Sequence, residues 1–158
     1  MTNEIGILRL VQGDVVEFFT IITILTEDAP LKPRSYIKKV YAEGTATRAE
    51  LFQLVLARLS EAEQRGMIQF FYAEPNQIGE EDGSGAAELH TVFTVWNQGH
   101  FHSGDLRVQP NGSTREQVYN LALTTVPAHL QHPEAVLFYS DRPNQYGRAT
   151  ASASGAAH

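Results

Sequence analysis

Two imidazoles at alternate positions are the first residues here whose type and spacing suggest a chemistry. His100-x-His102 places both rings on one side of an extended strand, with Asp105 close by, and His129 and His132 stand at i, i+3. A mononuclear metal centre needs three or four such ligands converging. No local signature of the His-Glu-x-x-His kind is present, and His100 and His102 have no counterpart in the earlier half of the chain. The histidines therefore read as solvated loop residues, with His100 and His102 kept as the metal candidates. The chain has no cysteine, which removes disulfides, thiolate sites, iron–sulfur clusters and cysteine nucleophiles together. Gly-x-Ser-x-Gly, Gly-x-x-x-x-Gly-Lys and Gly-x-Gly-x-x-Gly are all missing, so no motif implies a cofactor. Asp14, Glu74 and Asp141 are scattered carboxylates with no acid–base spacing.

A second set of residues stands out because it occurs twice. Thr47-Arg48 opens a helical segment leading to Phe71-Tyr72 and Pro75-Asn76-Gln77. Thr114-Arg115 opens another, leading to Phe138-Tyr139 and Pro143-Asn144-Gln145. The spacing is 67 residues from Thr47/Thr114 through Tyr72/Tyr139, and Arg142 reads as the extra residue that makes it 68 at the tripeptide. Thr47-x-x-Glu50 and Thr114-x-x-Gln117 are capping boxes. Arg48 and Arg115 occupy the first helical position, where the helix dipole disfavours a cation by about 0.3–1 kcal/mol. Two readings account for them: an ion pair to Glu74 and to Asp141, or a shared anionic ligand or partner. In Pro-Asn-Gln, proline ends a strand and asparagine mimics a backbone turn, but a turn has no need of glutamine. Arg48, Arg115, Asn76, Gln77, Asn144 and Gln145 are thus the candidate binding residues.

The elements that must position these groups follow from periodicity. Ile5–Val11 and Val15–Thr26 read as strands, 27–33 as a proline-bearing loop, and Ser35–Tyr41 as a strand. Leu51, Phe52, Val55, Leu56 and Leu59 mark one face of a helix from about Arg48 to Gln64. Met67–Ala73 is the next strand. Residues 80–88 are acidic and Gly/Ser-rich, and read as a linker. Leu89–Trp96 repeats the pattern of Phe18–Leu25. Residues 97–104 read as a turn region, Asp105–Gln109 as a short strand and Pro110-Asn111-Gly112 as a tight turn. A second helix starts at Arg115 and ends early at Pro127, and Glu134–Ser140 is the last strand. Residues 148–158 read as a loose tail.

The expected fold is α+β: tandem duplicated β-β-α-β units, about 15–79 and 88–147, forming one pseudo-two-fold mixed sheet with both helices on one face. Residues 1–147 would make a single domain. At 158 residues the chain is long enough for a core. A net charge of −6 argues against a broad nucleic-acid footprint. No apolar run reaches the roughly 18–20 residues of a membrane span, and Met1-Thr2-Asn3-Glu4 lacks a basic leader, so a cytoplasmic location is expected.

Three functions fit. The first is a non-catalytic protein-interaction or self-assembly module, with a protein partner or a homo-oligomer and no cofactor. The second is a nucleic-acid-binding accessory protein using Lys32, Arg34, Lys38, Lys39, Arg48 and Arg115, with Tyr36 and Tyr41 for stacking. The third is a small-molecule enzyme or binder with a site where the two copies meet. An apolar second sheet face would favour the first, and cations dispersed through the fold would count against the second.

Overall fold

A computed structural model describes residues 14–78 and 88–145. The anticipated strand at Ile5–Val11, linker core at 80–87 and tail at 148–158 lie outside the described residues. The chain is α+β, and its strands form two three-stranded antiparallel sheets. It divides into two compact units between Asn76 and Gln77. Unit one contains β1 (Val15–Thr26), β2 (Ala29–Glu43), α1 (Arg48–Leu56), α2 (Glu61–Gln64) and β3 (Met67–Pro75), with strand order β2-β1-β3. Unit two contains β4 (Leu89–Asn97), β5 (His100–Val108), α3 (Arg115–Leu123), a 3₁₀ turn (Ala128–Leu130) and β6 (Ala135–Pro143), with order β5-β4-β6. None of the described helices is long and apolar enough to cross a membrane.

The single mixed sheet expected from the β-α-β step is not what forms. In each unit the helix joins two parallel-running strands, but the first strand lies between them and pairs antiparallel with both. In unit one the central place suits β1, whose Phe18 to Ile24 run is buried on both faces; β4 takes the same place with alternating burial. The helix side of unit one is a core of Phe18, Ile22, Ile24, Val40, Leu51, Val55, Leu59 and Phe71. In unit two, Ile78, Leu89, Val108 and Val118 cluster. Burying each large apolar side chain contributes roughly 1.5–3 kcal/mol.

Local chemistry moves several boundaries. The 27–33 loop shrinks to a two-residue turn, because Thr26 already pairs with Ala29 and β2 runs on from there. Pro30 and Pro33 are tolerated because β2 is an edge strand and both fall inside the irregularity opposite Ile24–Thr26. Residues 97–104 likewise collapse to a tight hairpin in which Gln98 and Gly99 take φ of 50° and 83°. The first helix breaks at Leu56, and Ser60 starts α2 with its own Ser60–Glu63 capping box. The second stops at Leu123, with Pro127 opening the 3₁₀ turn.

The two units pair their strands alike. Thr23 faces Ser35 and Phe70, and Thr94 faces Ser103 and Phe138. Ile22 faces Phe71, while Phe93 faces Tyr139; Thr20 faces Ala73, while Thr91 faces Asp141. The last strands are therefore offset by 68 residues throughout. Tyr139 stands where Phe71 stands, Asp141 where Ala73 stands, and Arg142 where Glu74 stands. The Tyr72/Tyr139 match is a one-residue slip caused by the repeated Phe-Tyr pair. The extra residue belongs just before the strand. Gln64 donates to Leu59 O and Gln131 to Val126 O, both at 3.0 Å and still 67 apart, whereas Met67 and Ala135 are already 68 apart.

Candidate functional site

The matched arginines have different environments. Arg115 is 5% exposed and donates from Nη1 to Asp141 Oδ1 at 3.1 Å and to Asp141 O at 3.4 Å. Asp141 also accepts from the Tyr139 hydroxyl at 3.4 Å, and the Tyr119 and Tyr139 rings meet edge-on at 5.4 Å. Burial, and then the Asp141 charge, push the Tyr139 phenol far above its ordinary value; burial does the same to Tyr119. Arg48 is exposed. Its Nη2 donates to Phe71 O at 2.9 Å and its guanidinium lies 4.9 Å from the Phe71 ring centre. The expected ion pair thus forms in unit two only. No Arg48–Glu74 pair occurs among the described residues, because the position equivalent to Asp141 is Ala73 and Glu74 is exposed. Arg48 and Arg115 are thus not two exposed cations.

The Pro-Asn-Gln asparagines are clamps. Asn76 donates its backbone N–H to Glu17 O at 2.9 Å and Nδ2 to Glu17 Oε1 at 2.7 Å. Asn144 does the same to Glu88, at 2.9 and 2.7 Å. Each tripeptide thereby ties the end of the last strand to the start of the central one. Hydrogen bonds from Asn76, then from Tyr41, hold the Glu17 carboxyl below its usual value. Gln77 forms an antiparallel bridge with Thr114, which lets Ile78 enter the unit-two core. Gln145 is exposed and makes no such bridge among the described residues.

His100 and His102 do lie two apart on one strand, β5. The His100 ring sits edge-on to His129 with centres 6.0 Å apart, and among the described residues no three His, Asp or Glu side chains gather as a metal would require. Asp105 instead accepts a partner from across the sheet, His90 Nε2 at 2.9 Å.

The notable surface is the face of the unit-two sheet turned away from α3. Cross-strand partners share a face. Arg107, His90 and Arg142 therefore form one row across three strands, and Ser103, Thr94 and Phe138 form another, with Thr94 and Ser103 hydroxyls 2.7 Å apart. Beyond them Trp96 pairs with Phe101. Phe101 is 71% exposed and Phe138 44% exposed. The face grades from a charged end, where Arg107 and Arg142 flank His90 and its partner Asp105, to an aromatic end. Phe101 escaped the sequence reading because it sits in the stretch taken as a turn, although Trp96-x4-Phe101 around Gln98-Gly99 is a hairpin spacing. In unit one the same face carries Phe19, Ile21 and Thr23, all fully buried, and Tyr72 at 8% exposure.

The cations named for nucleic acid do not all share one exposed face. Lys38 and Lys39, adjacent on β2, point to opposite faces, and Arg115 is buried. No protein-family model, curated protein or solved structure matches the chain.

Proposed function

We propose that this chain is a non-catalytic self-assembly module, built by tandem duplication of a β-β-α-β unit, that associates through the open face of the unit-two sheet. The observation that carries the reading is the aromatic end of that face, where Phe101, Phe138 and Trp96 lie together with Phe101 largely in water. Exposed apolar groups gathered on one face mark interaction surfaces, whereas isolated ones do not. The opposite end supplies the partner's sign. Arg107 and Arg142 are exposed in a chain of net charge −6, so a second copy offers acidic surface to them. The duplication is supported by the shared pairing pattern, the paired Asn–Glu clamps and the matched Gln64 and Gln131 bonds. A homodimeric ancestor of one unit per chain fits the same pattern.

Light scattering and native mass spectrometry on the purified protein test this. The expected result is a defined multiple of 17.5 kDa with no bound ligand. A monomer at micromolar concentration, or co-purifying nucleic acid, would count against it.

A further inference from the structure

An asparagine closes a cyclic imide on its own backbone only if two groups are free: its side-chain carboxamide and the N–H of the next residue. At most of the described asparagines the fold engages one or both. Asn76 and Asn144 commit Nδ2 to Glu17 and to Glu88, each at 2.7 Å. Asn97 Nδ2 donates to His129 O at 3.0 Å, and the following N–H, of Gln98, donates to Glu134 Oε1 at 2.9 Å. Asn120 lies inside α3, where the following N–H, of Leu121, belongs to the helix ladder.

Asn111-Gly112 differs on every count. Ser113 N–H donates to Pro110 O at 2.7 Å and closes a tight turn with Asn111 and Gly112 at its centre, at φ of 46° and 82°. Both residues are exposed. Neither the Asn111 side chain nor the Gly112 N–H has a hydrogen bond among the described residues. No atom lies within 4 Å of the place that a Gly112 Cβ would take, and glycine gives the joint freedom to bring the two groups together. We propose that Asn111 is a site of spontaneous covalent modification, at which water converts the carboxamide to a carboxylate through a cyclic imide. The Gly112 nitrogen attacks Asn111 Cγ and gives up its proton. The bond from Cγ to Nδ2 breaks, and ammonia leaves. Water then adds to either imide carbonyl. Opening on one side restores the main chain as aspartate. Opening on the other carries the main chain through Cγ as isoaspartate, one methylene longer. Nothing is oxidised or reduced. Either product adds a negative charge to a chain of net charge −6. In the isoaspartyl form the extra methylene sits inside the turn that leads from β5 to the Thr114 cap, so the entrance to α3 loosens.

The test is incubation of the full folded chain in mildly alkaline buffer, followed by tryptic mapping against a sample that was not incubated. The peptide spanning residues 108–115 should gain about 1 Da, the difference between an amide and an acid. The product should divide between isoaspartyl and aspartyl forms, separated by chromatography and by isoaspartyl-specific methylation. Asn76, Asn97, Asn120 and Asn144 should remain intact over the same period. A synthetic peptide of residues 108–115 gives the rate of the unconstrained sequence. The folded chain should react within about tenfold of that rate, because only the Ser113–Pro110 bond has to open. A folded chain slower than this, a product that is aspartyl alone, or earlier reaction at another of the four asparagines would overturn the proposal.

Discussion

Arg48 and Arg115 open equivalent helices with the same capping chemistry, yet one is exposed, its guanidinium over the buried Phe71 ring, and the other is buried against a carboxylate. The difference is set by one residue on a neighbouring strand, Ala73 in unit one and Asp141 in unit two. A cation enters the interior only where a partner meets it, because desolvating an unpaired charge is prohibitive. Two units with the same strand pairing therefore need not share a functional surface. Unit one buries the second face of its sheet, whereas unit two leaves that face open.

Removing one member of the buried pair should give the largest effect. Arg115→Ala or Asp141→Ala is expected to cost about 3–5 kcal/mol in urea unfolding, because the survivor is left charged and buried. Arg48→Ala should cost under about 1 kcal/mol, as for exposed cation–π contacts. Equal losses in the two units would break the comparison.

The matched threonines sharpen it further. Thr20 Oγ1 donates to Lys38 O at 2.9 Å, whereas Thr91 Oγ1 is buried with no partner among the described residues. Thr20→Val should lose about 1 kcal/mol, and Thr91→Val should be neutral or stabilising by a similar amount. Chemical denaturation of both variants settles the sign at each position. The helix caps are the control where the units agree. Thr47 and Thr114 each accept from the backbone three residues on, at 3.1 and 3.2 Å, so each Thr→Ala should cost about 1 kcal/mol.

The smallest expected effect is a pH dependence. The Glu17 carboxyl titrates lower in the folded chain than its ordinary value of 4.5. Its contribution is therefore complete above the unfolded value and is lost as pH falls through the folded one. Stability measured from pH 6 down to pH 3 should decline less steeply in Asn76→Ala than in the parent. An unchanged slope would show that the Asn76–Glu17 clamp does not set the shift.

Much of this was readable in the residues, and the failures have physical causes. Helical faces, caps and the long apolar strand follow from local periodicity, so β1, β4 and the starts of α1 and α3 emerge close to their observed positions, whereas the break after Leu56 was not anticipated. Which strand sits between the other two depends on contacts distant in sequence, which local patterns do not encode. The arginine pairing was half legible. The Phe-Tyr repeat aligned Glu74 with Asp141, and only the strand register shows that Ala73 is the true equivalent. Asn76 and Asn144 were found as a motif but not as clamps, since Glu17 and Glu88 lie more than fifty residues away in sequence. Phe101 was hidden by a Gly- and His-rich setting that disguises a tight hairpin as a loop.

The central claim, that the open face of unit two joins copies of the chain, is tested most directly by sedimentation velocity on the parent and on Phe101→Lys. Phe101 is largely in water, so the substitution leaves the core intact and places a charge in the aromatic patch. The account predicts a discrete oligomer for the parent and a folded 17.5 kDa monomer for the variant. A parent that is already monomeric, or an oligomer indifferent to the lysine, would contradict it.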